Sequence, residues 1–400
     1  MSAPPTPPFL PTLPTAPPTI PDAPSALPTA AYVHVPFCVH RCGYCDFAVV
    51  AGRDDLTDRY VAAVAAELGS LPAERPPLQT LFIGGGTPTH LTPRLLAELL
   101  STLRAAFELT PDAEFSVEAN PHDLTDAKLR VLSDHGVSRV SLGVQSFDAA
   151  ALRVLERDHT PAEAADVAAR CLDRFPQVSL DLIFGVPGLS LAAWEDTLRR
   201  AVDTGVRHVS AYGLTFEKGT AFWTRRRNGT LAEMGDGPQR DQFLLASDLL
   251  PAAGLPAYEL SNYAAAGHRC RHNETYWDRG DYWGVGPGAA SLVAGVRRTN
   301  HRSATTWLRR VEAGVSPVAE EEPQTPQTVA EELLMLGLRR AEGLSLARFQ
   351  RDVGRSLDRF AGAAVRRNVD GGLLRVDGDR VALTAKGRVL ADTVIADLFG

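Results

Sequence analysis

The chain has 400 residues, 44% of them hydrophobic and 22% charged, the balance of an ordinary globular protein of roughly two or three domains. A net charge of -7 argues against general nucleic-acid binding, and no apolar run is long enough to span a membrane. Five cysteines are an odd count, and nothing marks the chain as secreted, which excludes a disulfide framework.

Residues 1–30 are roughly one-third proline, with Ala, Thr and Ser between, a composition that cannot bury a core and predicts a disordered tail. From residue 31 a strand–helix alternation begins. Strands are predicted at 32–35, 80–83, 114–118, 139–144, 179–184 and 208–214. Amphipathic helices are predicted at 56–68, 93–107, 125–135, 162–175 and 191–204. Thr92 and Pro93 form an N-cap followed by proline at the first helical position. Gly136 and Gly205 fall where C-terminal caps belong. Six strands alternating with helices predict an α/β fold with a parallel sheet, curled by right-handed crossovers into a partial (β/α)6 TIM-like barrel over 31–260.

Chemistry in such folds gathers at the C-terminal ends of the strands. The first predicted strand leads to Cys38, Cys42 and Cys45, and the second to Gly84-Gly85-Gly86-Thr87-Pro88. The third ends in Glu118-Ala119-Asn120-Pro121, the fourth in Gly143-Val144-Gln145-Ser146, and the fifth in Phe184-Gly185-Val186-Pro187-Gly188. Three thiolates at CxxxCxxC spacing can hold a four-iron cluster with one iron free of protein, whereas clusters held by protein alone use four cysteines. A zinc site with His34 or His40 as fourth ligand is the competing reading of the same triplet.

The pattern then changes. Residues 261–324 are rich in aromatics, His, Asn and Arg, and include the tract Arg269 to Trp277 and the run Gly284-Val285-Gly286-Pro287-Gly288. Residues 325–400 read as three helices, a hairpin turning at Asp377-Gly378 between 373–376 and 380–383, and a last helix. That order describes a small winged-helix-like α+β domain. Its acidic and basic residues nearly balance, which favours packing or docking over DNA reading.

Cys38-x-x-x-Cys42-x-x-Cys45, with Tyr44 inside it, and Gly84 to Pro88 resemble the radical S-adenosylmethionine (SAM) superfamily. Tyr32-Val-His-Val-Pro-Phe-Cys38, Gly143-Val-Gln-Ser-Phe147 and Asp181-Leu-Ile-Phe-Gly-Val-Pro187 are similar to its oxygen-independent coproporphyrinogen III oxidase group. Within that group the chain resembles the heme-chaperone branch. Phe47 stands where the oxidase usually has a further cysteine, His272-Asn273-x-x-Tyr276-Trp277 matches the branch's HNxxYW tract, and the proline-rich tail replaces the oxidase's folded extension.

The resemblance implies a barrel of the radical SAM type and three cofactors: a [4Fe-4S] cluster on the cysteines, SAM on its open iron, and heme. Reduction by the cluster would cleave a carbon–sulfur bond of SAM. Tyr44 would lie beside the adenine. Gly85 and Gly86 would let backbone carbonyls reach the SAM amino group, Thr87 would add a hydroxyl, and Glu118 would take the amino group or ribose. Gln145, Arg157 and Asp181 would make further SAM contacts, Arg157 suiting a carboxylate. Tyr32 and Gly213 complete the expected cofactor-binding set. His272 would contact heme, Cys270 is a second candidate ligand, and Arg297 and Arg298 are candidates for its propionates. One departure stands out: Ala290 occupies a position where the family commonly has His.

The function implied is binding of heme and its transfer to acceptor hemoproteins, membrane-associated ones included, by a cytoplasmic protein that neither inserts into lipid nor binds nucleic acid. The alternative is oxidative decarboxylation of two propionates of coproporphyrinogen III to vinyl groups.

Overall fold

The computed structural model describes residues 27–399. The tail expected over 1–30 therefore lies, for residues 1–26, outside the described residues. Ala30 already belongs to the first strand.

The strands run in chain order as β1 (Ala30–Val35), β2 (Phe37–Cys38), β3 (Val50–Ala51), β4 (Leu78–Gly85), β5 (Leu109–Ala119), β6 (Arg139–Gln145), β7 (Gln177–Phe184), β8 (His208–Gly213), β9 (Asn262–Ala264) and β10 (Trp283–Val285). All but β2 and β3 share one sheet, in the order β10-β1-β4-β5-β6-β7-β8-β9. The six predicted strands are its parallel centre. β10 adds a parallel strand beside β1, and β9 an antiparallel one beside β8. The edges β9 and β10 are not paired with each other, so the barrel is open. Neither edge strand was visible as a period, because each has only three residues.

The central strands are nearly continuously buried, as parallel strands covered on both faces must be. Leu81, Ile83, Val117, Leu142, Leu180 and Leu182 are fully buried. Helices α1 (Thr57–Gly69), α2 (Pro93–Ala106), α3 (Asp126–Asp134), α4 (Ala149–Val154), α5 (Pro161–Leu172) and α6 (Leu191–Asp203) follow successive strands. Helix α2 shows why they form. Thr92 caps it by accepting from the Leu95 N–H, Pro93 opens it, and Leu95, Leu96, Leu99, Leu100 and Leu103 make one buried stripe. Helices α7 (Ala221–Arg227) and α8 (Asp236–Ala252) follow β8.

Residues 261–276 and 280–323 belong to the same compact unit as the barrel. They contain most of the short helix α9 (Arg271–Trp277), helix α10 (Ala304–Glu312), and an antiparallel sheet of β11 (Ala290–Val293), β12 (Val296–Asn300) and β13 (Val318–Pro323). The glycine run is packing-driven here: a side chain on Gly284 would meet the Ala290 carbonyl at 1.8 Å, and one on Gly286 the His34 carbonyl at 2.5 Å.

The second unit comprises residues 277–279 and 324–399. It holds α11 (Pro326–Arg339), β14 (Leu344–Ser345), α12 (Leu346–Val353), α13 (Leu357–Asp370), β15 (Leu374–Asp377), β16 (Arg380–Leu383), α14 (Ala385–Val389) and α15 (Ala391–Phe399). Three helices and a sheet in the order β14-β16-β15 make the winged-helix-like pattern. Asp377 pairs with Arg380, so the turn residues are Gly378 and Asp379, one position later than expected. Gly378, at a φ of +52°, takes the first central position, where a II′ turn needs glycine. No helix among the described residues is long and apolar enough to cross a membrane.

Candidate functional site

The C-terminal ends of β1, β4, β5, β6 and β7 surround a cavity of about 430 Å³. Cys38 and Cys45 line it, with Tyr44, Gly85, Gly86, Thr87, Glu118, Gln145, Arg157 and Asp181. Cys42 sits just behind the wall, tied to Arg157 and His40. Tyr32, Gly213 and His272 are not on this surface.

The cysteine loop is held at both ends. It leaves β1 at Pro36 and returns where β2 pairs with β3 in parallel. Within it, the Cys45 N–H donates to the Cys42 carbonyl at 3.0 Å, closing a turn. The Gly43 N–H donates to a Glu156 carboxylate oxygen at 2.7 Å. Gly43 is obligatory, since a Cβ there would strike the Phe222 ring at 2.5 Å. Burial pushes the Cys38 thiol up to about 11, while its Thr87 bond pulls the other way. Burial also raises the Cys45 thiol.

The glycine turn explains itself by close approach. The Gly86 N–H donates to Val35 O at 2.7 Å and the Thr87 N–H to Phe37 O at 2.8 Å, which pins the end of β4 against the start of the cysteine loop. A Cβ on Gly86 would lie 2.7 Å from the Phe37 carbonyl, and one on Gly85 2.5 Å from the His34 ring. Gly85 also has a φ of +109°, open to glycine alone without strain.

A chain of polar contacts crosses the rim. The Arg157 guanidinium donates to Asn120 Oδ1 at 2.5 Å, to Gly143 O at 3.1 Å and to Cys42 Sγ at 3.6 Å. Asn120 donates in turn to Thr87 Oγ1 at 2.9 Å, and Thr87 Oγ1 lies 3.6 Å from Cys38 Sγ. Arg157 Nε is buried without a hydrogen-bond partner among the described residues. Gln145 adopts a left-handed φ of +66° where the register of β6 on β7 slips. A non-glycine residue in that region carries strain of the kind that clusters at working sites.

Two carboxyls face the interior. Glu118 accepts the Gly85 N–H at 2.9 Å. Burial, then the Asp181 carboxylate, raises its carboxyl to about 8, so it is largely protonated at neutral pH. Burial likewise raises Asp181, against hydrogen bonds from Ser210 and Ser141. Below them lies a polar chamber of about 90 Å³ that shares Glu118, Ser141, Asp181 and Tyr212 with the main cavity. Arg139 Nη1 and His208 Nδ1 are buried there without protein partners, so the chamber suits ordered water.

His272 lies in the barrel floor. Its Nδ1 is 2.9 Å from Thr80 Oγ1, its Nε2 is 2.9 Å from the Tyr276 hydroxyl, and Phe82 stacks on its ring at 5.1 Å. Glu114 seats this tract by accepting the His272 N–H at 3.0 Å, the Arg271 N–H at 3.1 Å and the Arg139 Nε–H at 3.0 Å. Iron ligation by His272 requires one of its two ring bonds to break. Cys270 is buried with its thiol 3.4 Å from Glu114. Arg298 is ion-paired with Glu321 at 3.1 Å. Tyr32 donates its hydroxyl to His34 Nδ1 at 3.0 Å and stacks on Phe82. Gly213 is exposed at the end of β8.

Sequence reasoning missed Asn120, Ser141, Gly143 and Tyr212 as parts of the wall. Asn120 and Gly143 stood inside strand-end motifs already singled out, and only their link to Arg157 was hidden.

The donor set fits a four-iron cluster with one open iron. Cys38 and Cys45 line one cavity with Cys42 just behind its wall, Cys171 and Cys270 are buried elsewhere, and His34 is engaged by Tyr32 and Ala48 O.

The chain matches the family model of the Radical SAM superfamily over residues 32–201 and that of the HemN C-terminal domain over residues 324–390. It is 40% identical over 389 residues to the heme chaperone HemW of Mycobacterium tuberculosis, covering 93% of this chain and 95% of the relative. It is 33% identical to the heme chaperone HemW of Bacillus subtilis, covering 93% and 99%. Among solved structures it resembles the coproporphyrinogen III oxidase HemN of Escherichia coli, a radical SAM enzyme, with a TM-score of 0.81 at 21% identity, covering 93% and 90%. That likeness speaks to the fold.

Proposed function

Because the chain belongs to the radical SAM superfamily, in the group that holds the heme chaperone HemW, we propose that it binds heme and passes it to acceptor hemoproteins in the cytoplasm or at its membrane. In this reading Cys38, Cys42 and Cys45 hold a [4Fe-4S] cluster and SAM occupies the cavity beside it. When bound, the pair supplies one-electron cleavage of a carbon–sulfur bond.

The observation that carries the reading is the mouth of the cavity. Carboxyl, amide and guanidinium groups stand in its wall, and Val39 and Phe47, which also line it, are 51% and 57% exposed. In this reading the exposed Val39 and Phe47 meet the flat apolar face of a porphyrin. Arg41 donates to Cys45 O at 3.2 Å and Arg302 to Asp46 O at 2.5 Å. Two exposed arginines are thus anchored to the backbone just before Phe47, and in this reading they take the two propionates of a porphyrin.

The wall residues have separable tasks. Arg157 keeps Asn120 and the Gly143 carbonyl in place. Glu118 and Asp181 suit a cationic amino group. Gly85 and Gly86 keep the backbone bare for close approach, and Tyr44 offers a ring face.

The test is anaerobic reconstitution with iron and sulfide, then heme titration in the Soret region, then mixing with an apo-hemoprotein. Saturable binding with transfer supports the reading. Conversion of coproporphyrinogen to protoporphyrinogen by the same preparation would replace it with the oxidase reading.

A further inference from the structure

Helix α4 ends in a way its sequence does not favour. The Glu156 N–H donates to the Arg153 carbonyl at 3.2 Å and the Arg157 N–H to the Leu152 carbonyl at 2.9 Å, the paired closure of a Schellman motif after the C-cap Leu155. The residue that turns such a motif takes the left-handed region and is usually glycine. Here it is Glu156, at a φ of +57°. A residue with a Cβ carries strain in that region.

The strained turn brings Glu156 onto the cysteine loop twice. Its carboxylate Oε2 accepts the Gly43 N–H at 2.7 Å, and its backbone carbonyl accepts from His40 Nε2 at 2.6 Å. His40 Nε2 also lies 3.6 Å from Cys42 Sγ, the sulfur to which the neighbouring Arg157 donates. On the other side, the Gly43 carbonyl accepts the Phe222 N–H of α7 at 2.7 Å. Arg225, further along α7, returns to Glu156 Oε1 at 3.2 Å. Both backbone groups of Gly43, which stands between Cys42 and Cys45, are therefore held, one from the end of α4 and one from the start of α7. The Glu156 and Arg225 side chains are 38% and 42% exposed, so their ion pair adds little. The bond from a backbone N–H to the charged carboxylate is the stronger tie.

We propose that Glu156 is a positioning residue for the cluster site, kept in a strained turn so that it fixes the cysteine loop between Cys42 and Cys45. The proposal rests on the reading that Cys38, Cys42 and Cys45 hold a four-iron cluster. Groups behind the ligands govern how firmly a metal site is held, because they decide whether the ligands stay in place. The Glu156 carboxylate also sets a negative charge beside the loop. Negative charge near a cluster opposes its reduction, so removing the charge raises the reduction potential.

The experiment reconstitutes the full chain anaerobically with iron and sulfide and follows cluster loss to an iron chelator by visible absorption. Glu156→Gly relieves the strained turn, so its cluster-free form should melt at or above the parent's temperature. It should nevertheless lose its cluster about tenfold faster. Glu156→Gln keeps an oxygen for the Gly43 N–H but not the charge. It should stay within about threefold of the parent's cluster lifetime and show a raised reduction potential. Arg225→Ala should stay within about twofold. A Glu156→Gly cluster as long-lived as the parent's overturns the proposal. So does a Glu156→Gly protein whose melting temperature falls along with its cluster lifetime, since the residue would then serve the fold alone. A parent chain that takes up no cluster at all instead fails the cluster reading, and this inference with it.

Discussion

Arg157 is one side chain doing three things at once, reaching Asn120, Gly143 O and Cys42. A lysine keeps the charge but not the planar fork. Arg157→Lys should therefore weaken SAM binding by about ten- to a hundredfold while the reconstituted cluster keeps its visible absorption, as equilibrium dialysis and spectra would check. His272 poses the opposite case. The sequence offered a histidine beside aromatic residues, and nothing in it could say that both ring nitrogens are already engaged inside the barrel floor. Its removal leaves buried Thr80 and Tyr276 hydroxyls without a partner. His272→Ala should lower stability by about 2–4 kcal/mol in chemical denaturation and leave heme affinity within about twofold. Lost heme binding at unchanged stability would restore the ligand role. The cysteines were legible because their spacing is itself the chemistry. Asn120 was not, because its use depends on a partner 37 positions away.

At the scale of elements, β6 ends in a kink that the chain maintains against its own preference. Gln145 sits at a φ of +66° where the ladder to β7 slips. Glycine tolerates that conformation freely. Gln145→Gly should raise the unfolding free energy by about 1 kcal/mol and yet weaken SAM binding, a split that denaturant titration and ligand binding can each measure. The central strands and outer helices could be read from periodicity and caps, since Thr92 with Pro93 and the leucine stripe of α2 behave as their types dictate. β9 and β10 could not, being three residues each and recruited by the sheet edges. The run from Gly284 to Gly288 stands out in the sequence without showing what its glycines are for. In the fold, Gly284 and Gly286 are small because the Ala290 and His34 carbonyls lie against them.

The described residues form two compact units, and the cavity with the cysteine loop belongs to the barrel unit. A ligand that binds only the folded form stabilises what it touches, by about 2.7 kcal/mol at a hundred times its dissociation constant. SAM should thus shift the calorimetric transition of the barrel unit. A single transition moved as a whole would show that the two units unfold together. The barrel and the winged-helix-like unit were both foreseeable, because one depends on strand–helix alternation and the other on a hairpin framed by helices. The assignment of 261–276 and 280–323 to the barrel unit was not, since it rests on contacts such as Glu67 with Gly286, Asn300 and Trp307 that are far apart in sequence.

The protonated state of Glu118 makes ligand capture a cation exchange. A ligand whose ammonium group pairs with this carboxyl must first evict a proton, since Glu118 titrates at about 8. Apparent affinity then climbs with alkalinity, by up to about tenfold per pH unit, and levels off once the group is ionised. Each binding event liberates close to one proton at pH 7, so the heat recorded should track the ionisation enthalpy of the buffer, with Tris and phosphate giving different apparent values. Glu118→Gln has no proton to surrender. It should bind more weakly on the plateau, with a flat pH profile and buffer-independent heat.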